Sequence, residues 1–516
     1  MTTSQLSFVK GRQLALMCAV VGALCLPASA MAATLTVMQT EAPRSMDPGD
    51  QTATFTADVL DPMYEGLLVR TPDLSLQPAL ATEWKNDEAG LVWTFKLREN
   101  VSFHDGTPFN ANAVVKNFAR HLDPKRGLAA SGRLRAFIDS VTATDPMTVQ
   151  FKLKKPYPAF LALLTTGPCL MVSPTADAAG TIGSRAVGTG PYKLAEYKSG
   201  DYVLEQKNPT YWGGAPKGVD EIKWTWTSEP SVMNMALQTG DADIVNPLPP
   251  AFAAQIEANP EMKLNKSDGS AVFWVSLNTK LKPLDDVRVR QALNYATDQA
   301  GLVKAIMQGY AVPANSPLAP VTPGYDATLA PYGYNIEKAK KLLADAGYPE
   351  GFEMSTIVQE PEARIGQLLQ GMWSKIGVKL DVRRMESGVW AKAAFADPAG
   401  KQADGIGSVI ASWSSGVNGA DLQFRPLYHS ASASPTGANL GFFNDSTLDG
   451  LVDKAASTLD EKARNDIYVE AQKLINDQAP HVLLYTTQDL YATRANVKGV
   501  WLVPGGQVEV ESATKD

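Results

Sequence analysis

Strand-like and helix-like segments alternate along this chain, and that alternation restricts its fold to mixed α/β layers. Trp93-Thr94-Phe95-Lys96-Leu97 alternates apolar and polar side chains with the period of two that is typical of a half-buried strand. Residues 222–226, a helix that ends at Gly240, and residues 242–245 together predict a βαβ unit. The predicted fold class is therefore α/β.

Capping residues mark where two of the helices begin. Asn110 precedes an amphipathic run over residues 111–121, and Asn335 precedes a second run that Gly347 ends. Asparagine caps a helix because its side chain accepts a hydrogen bond from a backbone N–H group of the first turn. We therefore predict that helices begin directly after Asn110 and Asn335.

No linker divides the chain, although its 516 residues are enough for two or three domains. The 34 prolines and 40 glycines are spread along the sequence, and no internal repeat or low-complexity tract is present. Lobes that lack a linker must share strands that cross between them. The sequence therefore predicts a hinge made of crossing strands.

The N-terminal segment has the three parts of a secretory signal peptide. Lys10 and Arg12 form a short basic region, residues 14–26 are almost wholly apolar, and small residues follow over 28–32. The apolar run is shorter than the roughly 20 residues that a membrane-spanning helix needs. We predict that residues 1–32 are a signal peptide and that the mature chain begins near Ala33. An uncleaved anchor helix is the alternative.

The cysteines give no support for a lipid anchor. Cys18 follows Met17 and Cys25 follows Leu24, whereas lipid-modified cysteines in bacteria normally follow a small residue. Cys169 is the one cysteine left after cleavage, so no intramolecular disulfide is expected. These features predict a protein of the Gram-negative periplasm that is not lipidated.

The net charge argues against two classes of partner. The formal charge is −7, and removal of Lys10 and Arg12 with the signal peptide makes it −9. An acidic chain is repelled at long range by nucleic acid and by anionic membranes. We therefore expect no nucleic acid partner.

The sequence lacks the common motifs of hydrolases, metalloproteases and nucleotide-binding enzymes. It contains no G-x-S-x-G elbow, no H-E-x-x-H motif and no G-x-x-x-x-G-K-[ST] phosphate loop. Gly188-Thr189-Gly190 lacks the third glycine of a dinucleotide site, and His104-Asp105 is interpreted as part of a turn. The four histidines, His104, His121, His429 and His481, show no metal-ligand spacing. We predict no enzyme activity, no cofactor and no metal site.

Several stretches together resemble a family of transport receptors. The order and spacing of these stretches hold over nearly the whole chain after the signal peptide. They are 64–68, 76–81, 97–111, 188–192, 208–212 and 286–296. They resemble family 5 of the extracytoplasmic solute-binding proteins, which includes dipeptide, oligopeptide, glutathione and nickel receptors of ABC importers.

Other stretches resemble the glutathione-binding branch of that family. Trp413-Ser414-Ser415 is followed by Gly419-Ala420-Asp421 and Pro426-Leu427, and residues 501–504 are also similar. Dipeptide receptors usually have Gly-Asp-Pro where this chain has Gly419-Ala420-Asp421. The resemblance implies a short peptide or peptide derivative as ligand, either glutathione or a dipeptide-like molecule.

The resemblance also implies the fold and its division into lobes. It predicts a two-lobed periplasmic binding protein of type II, similar to cluster C, with an extra subdomain in lobe I. Lobe I would comprise residues 33–272, with the subdomain at about 78–187, and residues 486–516 would return to it. Lobe II would comprise residues 273–485. Residues 273–278 and 482–485 are the predicted crossing strands.

Four residues are predicted to bind the ligand. Asp421 lies in the loop where peptide receptors of this family hold the ligand's ammonium group, and Trp413 would offer it a flat apolar wall. Arg364, in the first turn of a helix over 362–376, would bind the carboxylate, where the helix N-terminus also favours an anion. Arg44 is a further candidate from lobe I. Arg383 and Arg384 are alternatives.

Each of these assignments has a purely structural alternative. Asp421 could be a surface aspartate in a turn, Trp413 a core residue, and Arg364 a solvated helix residue. The predicted partners are a peptide-like ligand and the permease subunits of an importer whose ATPase subunits are separate. We expect a monomer. A receptor for an opine, a sugar or a metal chelate is the first alternative, and a periplasmic peptidase or chaperone is the second.

Overall fold

The computed structural model describes residues 33–416 and 419–516. Its strands are β1 (Thr34–Gln39), β2 (Leu68–Arg70), β3 (Leu76–Pro78), β4 (Ala81–Asn86), β5 (Val92–Leu97), β6 (Ile138–Asp145), β7 (Thr148–Leu153), β8 (Tyr192–Lys198), β9 (Tyr202–Lys207), β10 (Glu221–Trp226), β11 (Ile244–Val245), β12 (Met262–Leu277), β13 (Ala311–Pro313), β14 (Glu353–Gln359), β15 (Lys379–Met385), β16 (Ser408–Ser414), β17 (His481–Arg494), β18 (Val497–Lys498), β19 (Trp501–Val503), β20 (Gln507–Glu509) and β21 (Thr514–Lys515).

Helices cover these strands. They are α1 (Thr54–Leu60), α2 (Ala111–Leu122), α3 (Gly132–Phe137), α4 (Phe160–Leu163), α5 (Pro174–Ala178), α6 (Pro230–Thr239), α7 (Pro250–Glu257), α8 (Val287–Tyr295), α9 (Gln299–Met307), α10 (Ile336–Asp345), α11 (Ala363–Trp373), α12 (Ser387–Ala394), α13 (Pro398–Ala403), α14 (Asp421–Tyr428), α15 (Ser446–Ser457) and α16 (Glu461–Gln478). Within the described ranges, none of these helices is both long enough and apolar enough to cross a bilayer.

One large sheet connects both halves of the molecule. Its strand order is β15-β14-β16-β12-β17-β11-β1-β10-β9-β8, and β13 also pairs with β17. β12 and β17 are its two longest strands, and they pair antiparallel from Met262 with Arg494 to Ser276 with His481. We call the half that contains β1 and β8–β11 lobe I, and the half that contains β14–β16 lobe II.

The hydrophobic cores divide in the same way as the sheet. Two clusters of buried apolar residues in lobe I draw on residues 35–262 and 490–513. Two clusters in lobe II draw on residues 272–485. β12 and β17 contribute to cores on both sides, so these two strands link the lobes. The residue boundaries that the sequence predicted for each lobe stay a prediction.

A second sheet lies within lobe I. It is antiparallel, with the order β4-β5-β7-β6. Its inner face carries Phe95 and Phe151, whose ring centroids are 5.4 Å apart, and Phe160 of α4 lies 5.5 Å from Phe151. Burial of such a ring contributes about 2 kcal/mol, so this aromatic cluster fixes the sheet against its helices.

The local predictions from the sequence are confirmed at most elements. The Asn110 and Asn335 side chains accept hydrogen bonds from the backbone N–H groups of Ala113 (3.1 Å) and Lys338 (2.9 Å), as predicted for helix caps. β10 and β11 both pair parallel to β1, which confirms the βαβ unit. The crossing strands are longer than residues 273–278 and 482–485 suggested, because their ladder continues into lobe I.

Close contact between two backbones explains the Gly188-Thr189-Gly190 motif. A Cβ atom on Gly188 would lie 2.1 Å from the carbonyl oxygen of Met63, and one on Gly190 would lie 2.5 Å from that of Pro62. Only glycine lets the two segments approach so closely. The motif therefore serves lobe I packing. The predicted signal peptide, with Cys18 and Cys25, lies outside the described residues.

Candidate functional site

A cavity lies beside the crossing strand β17, in a gap between two of its partner strands. On this edge β11 pairs with Ala492 and Thr493, whereas β13 pairs with residues 485–487. Residues 488–491 are left between the two pairings, where the backbone N–H of Leu248 donates to the Leu490 carbonyl at 2.7 Å. The cavity occupies this gap and has a volume of about 420 Å³. Its position is therefore at the junction between the lobes.

The cavity wall combines apolar and polar residues. Most of its lining comes from lobe I, and Met307 at the end of α9 is a contribution from lobe II. The apolar part comprises Phe55, Pro247, Leu248, Pro249, Pro250, Met307 and Leu490. The polar side chains are Thr40, Thr54, Asp58, Asn246, Thr487, Gln488 and Asp489. Mixed walls of this kind are typical of small-molecule sites.

Asp489 is the carboxylate on the crossing strand. Its Oδ2 accepts a hydrogen bond from the backbone N–H of Gly505 at 3.0 Å. Burial and the neighbouring Asp268 raise the pKa of Asp489, although the bond from Gly505 opposes that rise. The Asp489 side chain is only partly buried, so it can meet a ligand in the cavity.

Asp58 is the second carboxyl group of the cavity wall, and it has a structural role. It is 1% exposed, and its Oδ1 accepts the backbone N–H of Val508 at 3.0 Å. Burial holds the pKa of Asp58 well above its ordinary value. Asn246 Nδ2 donates to the Gly506 carbonyl at 2.8 Å. These two contacts fix the tip of the β19–β20 hairpin over the cavity.

Arg44, a predicted ligand residue, contacts one residue of the cavity wall but is not itself among the residues that line the cavity. Its guanidinium group lies over the ring of Phe55 at 5.1 Å from the centroid, and Phe55 lines the cavity. Arg44 also forms an ion pair with Glu41 at 3.4 Å, but both side chains are more than half exposed. Such an exposed pair is weak, so the Arg44 cation is available to a ligand.

Trp413 and Asp421 lie next to each other in lobe II. Trp413 Nε1 donates to the Leu422 carbonyl at 2.9 Å, and its half-buried ring packs on the lobe II core. Asp421 forms an ion pair with Arg425 one helical turn later, at 3.1 Å. Arg425 also binds Asp453 at 2.8 Å. The Asp421 carboxylate therefore already has a cationic partner.

The charge of Asp421 acts on a tyrosine of lobe I. Burial raises the pKa of Tyr157 to about 12, and the charges of Arg133 and Asp421 act on it in opposite directions. Tyr157 belongs to the lobe I core, where its ring stacks on Phe137 at 3.8 Å. Asp421 is therefore a lobe II residue whose charge reaches a buried tyrosine of lobe I.

The other predicted arginines lie elsewhere in lobe II. Arg364 is exposed in the first turn of α11. Arg383 Nε donates to Asp381 at 2.7 Å, and Arg384 lies 3.9 Å from Glu360. None of these three arginines is among the residues that line the cavity. Arg44 contacts the wall residue Phe55, and Trp413 bonds the residue after Asp421, while the role of Arg44, Trp413, Asp421 and Arg364 as ligand contacts stays a prediction.

Asp489 was missed in the sequence analysis. The polar run Thr486-Thr487-Gln488-Asp489 follows the apolar run 482–485. This change from apolar to polar residues in a predicted core strand was the sequence feature that indicated a site near Asp489. Among the described residues, no group of three histidine, cysteine or acidic side chains is arranged to hold a metal ion. His104 instead bonds the Gly190 carbonyl at 3.0 Å, which places it in the packing of lobe I.

Comparisons with known proteins agree with this fold. Residues 75–435 match the family described as bacterial extracellular solute-binding proteins, family 5 Middle. The glutathione-binding protein GsiB of Escherichia coli O1:K1 is 33% identical over 475 residues, which cover 91% of this chain and 92% of that protein.

Two solved structures are also similar. HbpA2 from Haemophilus parasuis has a TM-score of 0.86 at 27% identity and covers 94% of this chain and 100% of its own. The periplasmic binding protein DppA from Helicobacter pylori, in complex with the peptide STSA, has a TM-score of 0.71 at 27% identity. It covers 93% of this chain and 98% of its own. The predicted two-lobed α/β fold is confirmed. The chain therefore belongs to the bacterial extracellular solute-binding proteins of family 5.

Proposed function

We propose that this protein is the periplasmic receptor of an ABC importer, and that it captures a short peptide or a peptide derivative such as glutathione. The observation that supports this most directly is the cavity at β17, which has walls from both lobes. Its volume of about 420 Å³ falls in the range of small-ligand sites, about 300–1,000 Å³. The names of GsiB and DppA support the choice of glutathione or a peptide.

The ends of the cavity suit a zwitterion. Asp489 provides an anion at the crossing strand, and Arg44, which lies over the wall residue Phe55, would provide a cation beside it. A peptide that leaves water must find a partner for each of its charges, because an unpaired buried charge costs several kcal/mol. The cavity therefore offers both signs of charge to one ligand.

Binding would act by favouring closure of the lobes. A ligand shifts the population of the closed form only by its greater affinity for that form. A ligand in the cavity would touch Met307 of lobe II and several residues of lobe I at once. We propose that the closed receptor docks on the permease subunits as a monomer, while separate subunits hydrolyse ATP. The receptor itself would bind its ligand without chemical change.

The remaining site residues are part of this proposal. We propose that Trp413 and Asp421 form the lobe II wall of the cleft, since Trp413 bonds the residue that follows Asp421 and the charge of Asp421 acts on Tyr157 of lobe I. Arg364 stays a prediction for the ligand carboxylate, and so do Arg383 and Arg384. The proposed boundaries of the lobes are residues 33–272 and 486–516 for lobe I and 273–485 for lobe II. The export of the chain by residues 1–32 without lipidation is also proposed.

Native mass spectrometry tests the function. The protein purified from periplasm is expected to carry an intact peptide-like mass, and isothermal titration calorimetry is expected to detect binding of glutathione or of dipeptides such as Met-Leu. Recovery of the ligand unchanged separates a receptor from a peptidase. A bound sugar, opine or metal chelate, with no peptide binding, would contradict the proposed ligand class.

A further inference from the structure

We infer that Tyr310 of lobe II, Glu257 of lobe I and Lys266 of the crossing strand β12 form a latch that favours closure of the two lobes. The inference rests on the proposed function, because closure of the lobes is what a bound ligand would stabilise. The three residues are not among those that line the cavity, so the latch acts on the position of the lobes and not on the ligand directly.

The Tyr310 side chain leaves its own lobe and packs on the other. Its neighbours Met307 and Ala311 pack in the lobe II core, whereas the Tyr310 ring packs against a core cluster of lobe I. The Tyr310 hydroxyl donates to Glu257 Oε2 at 3.1 Å, and Glu257 is the last residue of α7 in lobe I. One side chain of lobe II is thus held on lobe I both by its ring and by its hydroxyl.

Lys266 completes the latch. Its Nζ lies 3.0 Å from Glu257 Oε1 and 4.8 Å from the centroid of the Tyr310 ring. Each of the three side chains therefore contacts the other two. The Lys266 and Glu257 side chains are 42% and 46% exposed, and ion pairs with that much exposure are weak. A latch of this strength can form and break in each cycle of ligand binding.

A tight turn connects the latch to the cavity. Met307 lines the cavity, and the backbone N–H of Tyr310 donates to the Met307 carbonyl at 2.8 Å. Between them, Gln308 and Gly309 both have positive φ angles, 51° and 91°, in a region of conformation that few residues other than glycine adopt. β13 follows the turn and pairs with Thr487, which also lines the cavity. A ligand that fixes Met307 and Thr487 therefore also fixes Tyr310 against lobe I.

The latch is present in a conformation in which the lobes also touch elsewhere. Leu459 of lobe II lies so close to Gly90 of lobe I that a Cβ atom on Gly90 would be 2.8 Å from Leu459 Cδ2. Rotation of the lobes about β12 and β17 would change the distance between Tyr310 and Glu257, because the two residues belong to different lobes. The latch therefore adds to the stability of the closed form, and whatever stabilises that form raises ligand affinity.

Tyr310→Phe tests the latch, because it removes the hydroxyl and keeps the ring on the lobe I core. We expect calorimetry at pH 7 to show about 5-fold weaker binding of glutathione or of Met-Leu, as for the loss of one hydrogen bond. The distance between the lobes is measured without ligand by pulsed electron paramagnetic resonance. The nitroxide labels are placed at Glu83→Cys in β4 and Lys462→Cys in α16, whose native side chains are more than half exposed. Cys169 is buried and stays unlabelled. Tyr310→Phe is expected to shift the distances to longer values.

Tyr334→Phe is the matched control. Lys375 Nζ donates to the Tyr334 hydroxyl at 3.0 Å, but both residues belong to lobe II, so neither affinity nor distances should change. Glu257→Ala is a second test at an exposed residue, and its combination with Tyr310→Phe should be no weaker than the weaker single variant.

Unchanged distances in both Tyr310→Phe and Glu257→Ala would overturn the inference, and so would weaker binding without a change in distance. If the wild-type protein binds neither glutathione nor Met-Leu, the proposed ligand class fails, whereas the ligand-free distances still decide whether the latch exists.

Discussion

Glu65 Oε2 accepts a hydrogen bond from Trp212 Nε1 at 2.7 Å, although 147 positions separate the two residues in the sequence. Tyr211 donates to the other oxygen of Glu65 at 2.7 Å, and the Thr189 hydroxyl donates to Oε2 at 2.8 Å. The Arg98 guanidinium lies over the Trp212 ring at 4.3 Å. Four of the stretches that carry the family resemblance thus meet at one buried carboxyl group, away from the cavity.

Glu65→Ala is therefore expected to destabilise the protein strongly. It leaves a tyrosine hydroxyl, an indole N–H and a threonine hydroxyl without their acceptor, and each such loss costs about 1–3 kcal/mol. We expect a loss of about 3 kcal/mol or more in the free energy of unfolding, measured by urea denaturation. Glu83→Ala removes an exposed ion pair with Lys96 and is expected to change stability by less than about 0.5 kcal/mol. Equal stability of the two variants would contradict this role of Glu65.

Stability is expected to fall as the pH rises from about 4, because lobe I buries a group of carboxyl groups. Burial raises the pKa of Asp61, Glu205, Glu509 and Glu511 above the ordinary values of 3.8 and 4.5, and repulsion from Asp61 adds to the effect at the three glutamates. The folded chain keeps protons that the unfolded chain releases, so each rise in pH favours unfolding until the folded groups ionise.

Glu509→Gln tests this dependence. The glutamine amide stays neutral at every pH. The variant therefore has one acidic group fewer whose proton the folded chain retains and the unfolded chain releases. We expect thermal unfolding to show a shallower decline between pH 4 and pH 8, with a gain on the order of 1 kcal/mol at pH 8. Glu41→Gln, at an exposed residue, is the control that should keep the wild-type slope. An unchanged slope in Glu509→Gln would contradict the prediction.

Affinity for an amine-bearing ligand is expected to rise with pH over the acidic range. Burial and Asp268 raise the pKa of Asp489, and only its ionised form attracts an ammonium group. Asp58, the other acid of the cavity wall, is buried and stays protonated over more of the range. Calorimetry with Met-Leu from pH 4 to pH 7 should show tighter binding as Asp489 ionises. Asp489→Asn should show a smaller change over the same range.

Gly269 is expected to be essential for the geometry of the hinge. It lies in the irregular part of β12, between Asp268 and Val272, where the register with β17 shifts. A Cβ atom there would lie 2.2 Å from Thr487 Oγ1 and 2.9 Å from the Thr487 carbonyl oxygen. Gly269→Ala should cost about 1–3 kcal/mol by overpacking, and it should weaken ligand binding because Thr487 lines the cavity.

Gly371→Ala is the matched control for that substitution. Gly371 lies near the end of α11 and has open space around the position of a Cβ atom. Alanine there should raise stability by about 0.5–1 kcal/mol, because glycine is the poorer helix former. Both variants are measured by urea denaturation and calorimetry. A Gly269→Ala protein with wild-type stability and affinity would show that the hinge tolerates the extra atom.

Local features were predictable because they depend on neighbouring residues. The caps at Asn110 and Asn335 and the period-two strand at 93–97 need only short segments of chain, and all three are present. The ion pair of Asp421 with Arg425 was also within reach, since residues four apart meet on one helix face.

The cavity was not predictable from the sequence. Asp489 lines it only because β11 and β13 both end before they reach that part of β17. The ladders that β17 forms with β11 and with β13 each join strands that lie more than 60 positions apart in the sequence. Tertiary packing therefore decides where these ladders end. The stretches that carry the family resemblance predicted the fold correctly, yet their side chains at Glu65, Tyr211 and Trp212 stabilise lobe I. The resemblance therefore predicted the class of protein correctly, and the ligand contacts that it implies stay a prediction.

Leu459 and Gly90 touch across the cleft, and we expect this contact to favour the closed form. Gly90 lies in the turn between β4 and β5 of lobe I, and a Cβ atom on it would lie 2.8 Å from Leu459 Cδ2 of lobe II. Leu459→Ala removes apolar contact between the two lobes, which would be lost if they moved apart, at a cost of about 1 kcal/mol. Ligand affinity should therefore fall about 5-fold by calorimetry, while the unfolding of the ligand-free protein should change little. Val389→Ala, at an exposed residue of α12, should leave both unchanged. If Leu459→Ala bound ligand as tightly as the wild type, closure would not depend on this contact.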